Sequence, residues 1–394
     1  RGLGDVYKRQ VIDRSGTSAE KVEGLKHIWG RTDLIPLWVA DMDFATAPFV
    51  TDAIRKRCEN EVLGYTGKPD SYYNAIINWV KQRYDLVVAK EMINFVPGIV
   101  PGIGMAMNCF TQKGDKVMIQ PPVYHPFAWV TTRNERTLVI NPLKWENGMY
   151  RMDLDAFREQ IKGCKLFILC NPHNPGGVVW TEAELRAIAD ICYDEKVLVF
   201  SDEIHADLTL PPHTHRPFAT VSEKARMNSV TFMSPSKAFN MPGLSASHAL
   251  IFNEDLRKRF RIYMDAGELD MGHVFAFLSV EAAYSHGTEW LDQCLAYIQG
   301  NIDFVDDFLK NHAPKIKAIR PEASYLVWLD CRELKLSQKD LNEFFVDKAH
   351  LALNDGEMFG KEGIGFMRLN VASPRCIIEK AMKQLADAYQ LYIK

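Results

Sequence analysis

Four segments of the chain carry residue types that can do chemistry together. They are Pro121-Pro-Val-Tyr124, Asn171-Pro-His-Asn174-Pro-Gly-Gly177, Ser201-Asp202-Glu-Ile-His205 and Ser234-Pro-Ser-Lys237. Each follows a short apolar run, KVMIQ, KLFILC, VLVF and SVTFM respectively. Singly, each has an ordinary structural reading: a surface lysine, an N-cap aspartate, a turn cluster, a core tyrosine. Together, at the ends of successive runs, they supply an amine, a carboxylate, an amide and an aromatic ring. That set suits pyridoxal phosphate. A lysine forms the Schiff base, and an acid faces the pyridinium nitrogen. An amide can hold the ring hydroxyl, and a ring can stack on the pyridine. Phosphate needs backbone amides at a helix start. Pro97-Gly98-Ile99-Val100-Pro101-Gly102-Ile103-Gly104 supplies these as it enters a helix predicted to run to Phe110. Pro101 removes one donor from that loop. The G-x-G there is not a dinucleotide fingerprint, because the third glycine is absent.

Elements must bring those segments together. The runs at 116–120, 137–140, 165–170, 197–201, 229–234 and 246–252 read as buried strands with helical crossovers, such as Glu182 to Cys192. Continuous apolar strands of this kind predict a mainly parallel sheet covered on both faces. In such a sheet, ligands bind at the carboxyl ends of the strands. Before the sheet, Pro48 opens a helix with Val50, Ile54 and Cys58 on one face, and Asp70 is expected to cap a second. After Gly272 a long helical region is expected to about Asn311. Strand 325–330, helix 337–349, strand 366–371 and helix 374–390 then form a smaller α+β unit. The expected division is a large cofactor domain over 46–285 and a small domain built from 11–45 and 286–394.

The 394 residues have a net charge of −3, with 47 Lys plus Arg against 50 Asp plus Glu. No basic stripe suggests nucleic-acid binding, and no run approaches the ~20 apolar residues of a membrane helix. The eight cysteines lack metal spacing and read as small buried hydrophobes in a reducing cytoplasm. Residues 1–10, RGLGDVYKRQ, resemble the translated read-through of a sequencing adaptor, so the native protein is expected to begin near Val11.

NPHNPGG, SDEIH and SPSK are similar to the pattern of fold-type I pyridoxal-phosphate enzymes, the aspartate aminotransferase superfamily. Five stretches, two of them repeating or extending those motifs, narrow the resemblance: Trp38-Val-Ala-Asp-Met-Asp-Phe44, Gly64-Tyr-Thr-Gly-Lys-Pro-Asp-Ser-Tyr72, Ser201 to His205, Ser234 to Asn240 and Arg368-Leu-Asn370. They look like the cystathionine β-lyase branch of the MalY/PatB type. The resemblance implies a seven-stranded sheet between helices plus a smaller α+β domain. It implies Lys237 as the Schiff-base lysine and proton shuttle, Asp202 on the pyridine nitrogen, Asn174 on the ring hydroxyl and Tyr124 stacked on the ring. Ser234 and the amides around Val100 and Gly102 would hold the phosphate. Tyr65 would reach a phosphate across a homodimer interface, and Arg368 would clamp the substrate carboxylate. Tyr65, Tyr124 and Asn174 would also meet the substrate. Two positions depart from the common aminotransferase pattern: His205 replaces a tyrosine, and Ser245 replaces a phosphate-binding arginine. Both agree with the lyase branch.

The implied activity is α,β-elimination of L-cystathionine or a related S-substituted cysteine to thiol, pyruvate and ammonia. An aminotransferase of class I/II on the same fold is the alternative. A regulator binding a transcription factor as a side role is a further one.

Overall fold

The computed structural model describes residues 10–393. The expectation for residues 1–10 falls almost wholly outside them. Seven strands form the main sheet: β1 (Ile93–Val96), β2 (Lys116–Ile119), β3 (Thr137–Ile140), β4 (Cys164–Cys170), β5 (Leu198–Asp202), β6 (Ser229–Met233) and β7 (Ser247–Leu250). Their order is β1-β7-β6-β5-β4-β2-β3. Only β7 runs antiparallel, to both β1 and β6. Every residue of β6 and β7 is buried, which explains their composition of apolar and small residues, His248 excepted. The strand order places the carboxyl ends of β2, β4, β5 and β6 side by side.

A second sheet of four strands comprises β8 (Lys317–Ile319), β9 (Leu326–Asp330), β10 (Asn354–Asp355) and β11 (Phe366–Asn370), in the order β8-β9-β11-β10. The N-terminal segment joins this part of the molecule. Ile35 and Pro36 pair in parallel with Leu351 and Ala352. The largest apolar cluster runs from Leu37 and Phe44 through the helices at Asp70–Tyr84 and Val274–His286 to Val327 and Leu369 in the second sheet.

Local sequence explains the helix boundaries. Thr181 and Glu184 form a reciprocal capping box that starts the helix Glu182–Asp194. Pro48 opens the helix Pro48–Cys58. Asp70 differs from expectation: it is the first helical residue after Pro69, and its carboxylate pairs with Lys90 instead of capping. The region after Gly272 is two helices, Val274–His286 and Thr288–His312, joined at Gly287. A Cβ at Gly287 would stand 2.3 Å from the Phe239 ring, so only glycine allows that close turn. The helix expected over 337–349 is α-helical for Gln338–Glu343 and widens to a π turn over Phe344–Lys348. The cysteines divide: five are buried and Cys109 is half-buried, whereas Cys58 and Cys376 are exposed at their helix ends. Among the described residues no helix is long and apolar enough to cross a membrane, and no cluster of ligating side chains could hold a metal ion.

Candidate active site

A cavity of about 220 Å³ opens at the carboxyl edge of the main sheet. Tyr124, Asn174, Asp202, His205 and Lys237 line it, together with Gly98, Ile99 and Val100 from the start of the helix Ile99–Phe110. The four segments singled out by residue type therefore meet at one place.

Asp202 is the last residue of β5 and is 4% exposed. It accepts the Ile204 amide at 3.1 Å. Burial, above all, pushes its carboxyl up to about 7. A buried carboxylate in that condition favours a cationic partner. The next residue, Glu203, is turned to other partners: it accepts from the Ser201 hydroxyl (2.8 Å) and the Phe218 amide (2.8 Å) and meets His215 at 2.7 Å. Alternation along the strand end thus separates one satisfied structural carboxylate from one open to the cavity.

Lys237 follows β6 and donates from Nζ to the Ala40 carbonyl at 2.5 Å. Burial first, and then the Arg368 guanidinium, pull its ammonium down to about 8, against the opposing pull of Asp41 and Asp202. The neutral amine is thus far more accessible near physiological pH than in an ordinary lysine, and it predominates above about 8. His205 is buried and held down to about 3 by desolvation, so its imidazole is neutral; its Nδ1 has no partner among the described residues. Burial pushes the Tyr124 phenol up to about 12, keeping it protonated.

Arg368 projects from β11 and is 4% exposed. Its Nη1 donates to Asn174 Oδ1 at 3.0 Å. Its Nη2 donates to Asn354 Oδ1 at 2.6 Å and to the Trp38 carbonyl at 3.3 Å. The Phe359 ring lies 4.8 Å from the guanidinium carbon. Nε is buried without a partner among the described residues. Burial lowers this guanidinium to about 10, which leaves it charged at neutral pH. A buried cation with an unfilled donor beside the cavity is matched to a carboxylate. The asparagine loop that delivers Asn174 is pressed onto the connection between β8 and β9. Gly177, at φ +70°, accepts from the Glu322 amide at 2.8 Å, and a Cβ there would lie 2.5 Å from Pro321.

The phosphate end differs in detail from expectation. Val100 lines the cavity, and the amides of Ile99 and Val100 stand in the first helical turn, where no preceding carbonyl offers a helical bond. Gly102 is one turn too late: its amide donates to Gly98 O at 2.9 Å, and it does not line the cavity. Ser234 is also set back. Its hydroxyl lies 2.7 Å from the Ala246 carbonyl and accepts the Ser236 amide at 3.1 Å. Ser236, Ser245 and Ser247 line the cavity instead. Sequence reasoning missed Ser236 and Ser247; their signal was only their place at the ends of β6 and β7. It also missed Asn354, which lies in a strand of two residues. Tyr65 is 99% exposed and lies outside this chain's own cavity.

The residues present fit pyridoxal phosphate: a buried carboxylate short of a cation, a depressed lysine, an unpartnered imidazole nitrogen and a helix start flanked by hydroxyls. A sheet that gathers these at adjacent strand ends defines a pyridoxal-phosphate enzyme of fold type I. The comparison with known proteins sharpens this: the chain belongs to the aminotransferase class I and II family, whose model matches residues 32–385. The chain is 37% identical to cystathionine beta-lyase PatB of Bacillus subtilis over 378 residues, covering 95% of this chain and 98% of that protein. Among solved structures it is similar to cystalysin from Treponema denticola, which contains pyridoxal 5'-phosphate (TM-score 0.94, 33% identity, 97% and 98% of the two chains). It is also similar to a PLP-bound C-S lyase from Staphylococcus hominis in complex with L-cycloserine (TM-score 0.91, 34% identity, 98% and 100%).

Proposed function

We propose that the protein is a pyridoxal-phosphate-dependent carbon–sulfur β-lyase that cleaves L-cystathionine or a related S-substituted cysteine to a thiol, pyruvate and ammonia. The observation that carries this reading is the meeting of Lys237, Asp202 and Asn174 at one cavity, with Arg368 bonded to Asn174 behind its wall, in a chain whose full-length relatives include a named cystathionine beta-lyase.

Bound cofactor supplies an electron sink for the bonds at the substrate Cα. The chain supplies the rest. Arg368 takes the substrate carboxylate, with its guanidinium plane fixed by Asn174 and Asn354. Neutral Lys237 takes the Cα proton at Nζ. Asp202 would hold a proton on the ring nitrogen, a cationic partner that would satisfy its buried charge. Asn174 and Tyr124 would hold and orient the ring. Ile99 and Val100 amides, with the hydroxyls of Ser236, Ser245 and Ser247, receive the phosphate; Ser245 stands where many relatives of this fold carry an arginine. Ser234 and Gly102 act one layer further back, by fixing Ser236 and the helix start.

The working unit is a homodimer, in which Tyr65 reaches the neighbouring cavity. Its support is the exposure of Tyr65 together with Val62 and Leu63 on a segment without regular structure. We place the protein in the cytoplasm, in keeping with eight cysteines that are all free.

The deciding assay mixes purified protein with L-cystathionine and no keto acid. Catalytic release of pyruvate and free thiol is expected. In a parallel reaction with a keto acid added, amino-group transfer without pyruvate release in the first would assign the protein to transamination instead.

A further inference from the structure

The segment Trp38–Asp41 meets the cavity at Ala40, beside Lys237, and each of its carbonyls is held by a donor from another part of the chain. Trp38 O accepts from Arg368 (3.3 Å). Val39 O and Asp41 O both accept from Asn370 Nδ2, each at 2.7 Å. Ala40 O, between them, accepts from the Tyr325 hydroxyl at 2.9 Å and from Lys237 Nζ at 2.5 Å. Asn370 is itself fixed: its Oδ1 accepts the Ala372 amide at 2.8 Å, and its own amide donates to Leu37 O at 3.0 Å. Tyr325 is fully buried and Asn370 is 1% exposed.

We propose that Tyr325 and Asn370 are positioning residues that hold the Ala40 carbonyl as the acceptor orienting the Lys237 amine. A primary amine that donates one N–H to a fixed acceptor has its lone pair directed away from that acceptor. Ala40 and Lys237 line the same cavity, so the fixed carbonyl points the lone pair into the reaction space. Asn370 bridges the carbonyls on either side, which prevents the intervening peptide from rotating. The Tyr325 hydroxyl occupies the second acceptor position of Ala40 O and leaves one direction for Lys237. Proton transfer depends steeply on such alignment, since misplacement by about 1 Å costs on the order of a hundredfold. This inference rests on Lys237 acting as base in the proposed elimination.

The test uses Tyr325→Phe, which removes one hydroxyl and keeps the ring, and Asn370→Ser, which cannot bridge two carbonyls. Two readouts are taken. One is the rate at which cofactor-free protein gains the visible absorption of bound cofactor on mixing with pyridoxal phosphate, measured against pH. The other is kcat and KM of the holoenzyme. For Tyr325→Phe, an uptake rate and kcat both lowered about tenfold, with KM unchanged, are expected. Asn370→Ser is expected to lose at least as much. Uptake and kcat at the parent values in Tyr325→Phe overturn the proposal, as does a change confined to KM. If Asn370→Ser does not fold, Tyr325→Phe alone decides. Failure of the lyase reading is distinguishable, because the parent protein would then release no thiol while the uptake comparison still reports on Lys237.

Discussion

Two lysines contact the segment Trp38–Phe44, Lys21 fully buried and Lys237 half-buried, and their surroundings differ. Lys21 is fully buried and meets two carboxylates, Asp43 at 2.9 Å and Asp41 at 3.5 Å, as well as the Asp41 carbonyl. Arg14 completes that cluster by binding Asp41 at 2.6 Å and Asp43 at 3.1 Å. Lys237 has one carbonyl acceptor, a neighbouring guanidinium, only a through-space pull from Asp41, which Arg14 and Lys21 engage, and a carboxylate that is itself pushed towards neutrality. One lysine has its charge matched and serves as a fastener. The other is left short of compensation, which is the condition the proposed elimination asks of a base. On that reading, reactivity comes from an incomplete set of partners, not from the residue type.

Removing each lysine should separate the two roles. Lys237→Ala is expected to abolish the visible absorption of bound cofactor and to lower turnover by on the order of 10⁴ or more; thermal melting should change little. A variant that keeps turnover would remove Lys237 from the chemistry. Lys21→Ala is expected to act in the opposite way. It leaves Asp41 and Asp43 with Arg14 alone, and breaking a buried charge cluster costs about 3–5 kcal/mol. Denaturant unfolding checks this, and an unchanged midpoint would mean that Arg14 suffices. Arg368→Lys keeps the charge but not the planar fork. A rise in KM of about 30-fold, roughly 2 kcal/mol, is expected with little change in kcat.

The carboxylate side of the comparison can be tested by stability. Asp202 has its folded value raised from 3.8 to about 7. In cofactor-free protein its favourable contribution is present below the unfolded value and is lost as pH rises through about 7. Asp202→Asn should therefore stabilise cofactor-free protein at pH 8, by about 2 kcal/mol, and have little effect at pH 4. Equal melting shifts at both pH values would contradict this. The smallest effect is kinetic. Cofactor uptake by the parent protein should rise about tenfold per pH unit below about 8 and level off above it, because the reactive form is the neutral Lys237 amine. A flat profile would point to an amine already neutral.

Much of this was legible in the sequence because the main sheet is built from consecutive apolar runs, and each run ends on a distinctive residue. Asp202, Asn174, Lys237 and Tyr124 needed only strand ends to be placed. What sequence hid was whatever depends on contacts between distant segments. Asn354 carries the second arm of the Arg368 clamp, yet it lies in a strand too short to show periodicity. Ser234 and Ser236 share one motif, and only the turn after β6 decides which faces the cavity. Asp70 has the composition of a cap, but Pro69 takes the position before it. Strand order was likewise invisible: β7 inserts antiparallel between β1 and β6, and nothing in SHAL marks its direction.

The grip of Asn370 on Val39 and Asp41 has a consequence for how the molecule is made. A chain emerges from the ribosome from its N-terminal end. Lys237 and Asp202 exist long before Arg368 and Asn370 do, and Ile35 must wait for Leu351 to find its pairing partner. On the roles proposed above, a nascent chain would carry the groups that receive the cofactor before it carries Arg368 or the Asn370 bracket. Substrate binding and the aiming of Lys237 would then wait until distant segments of the sequence have met.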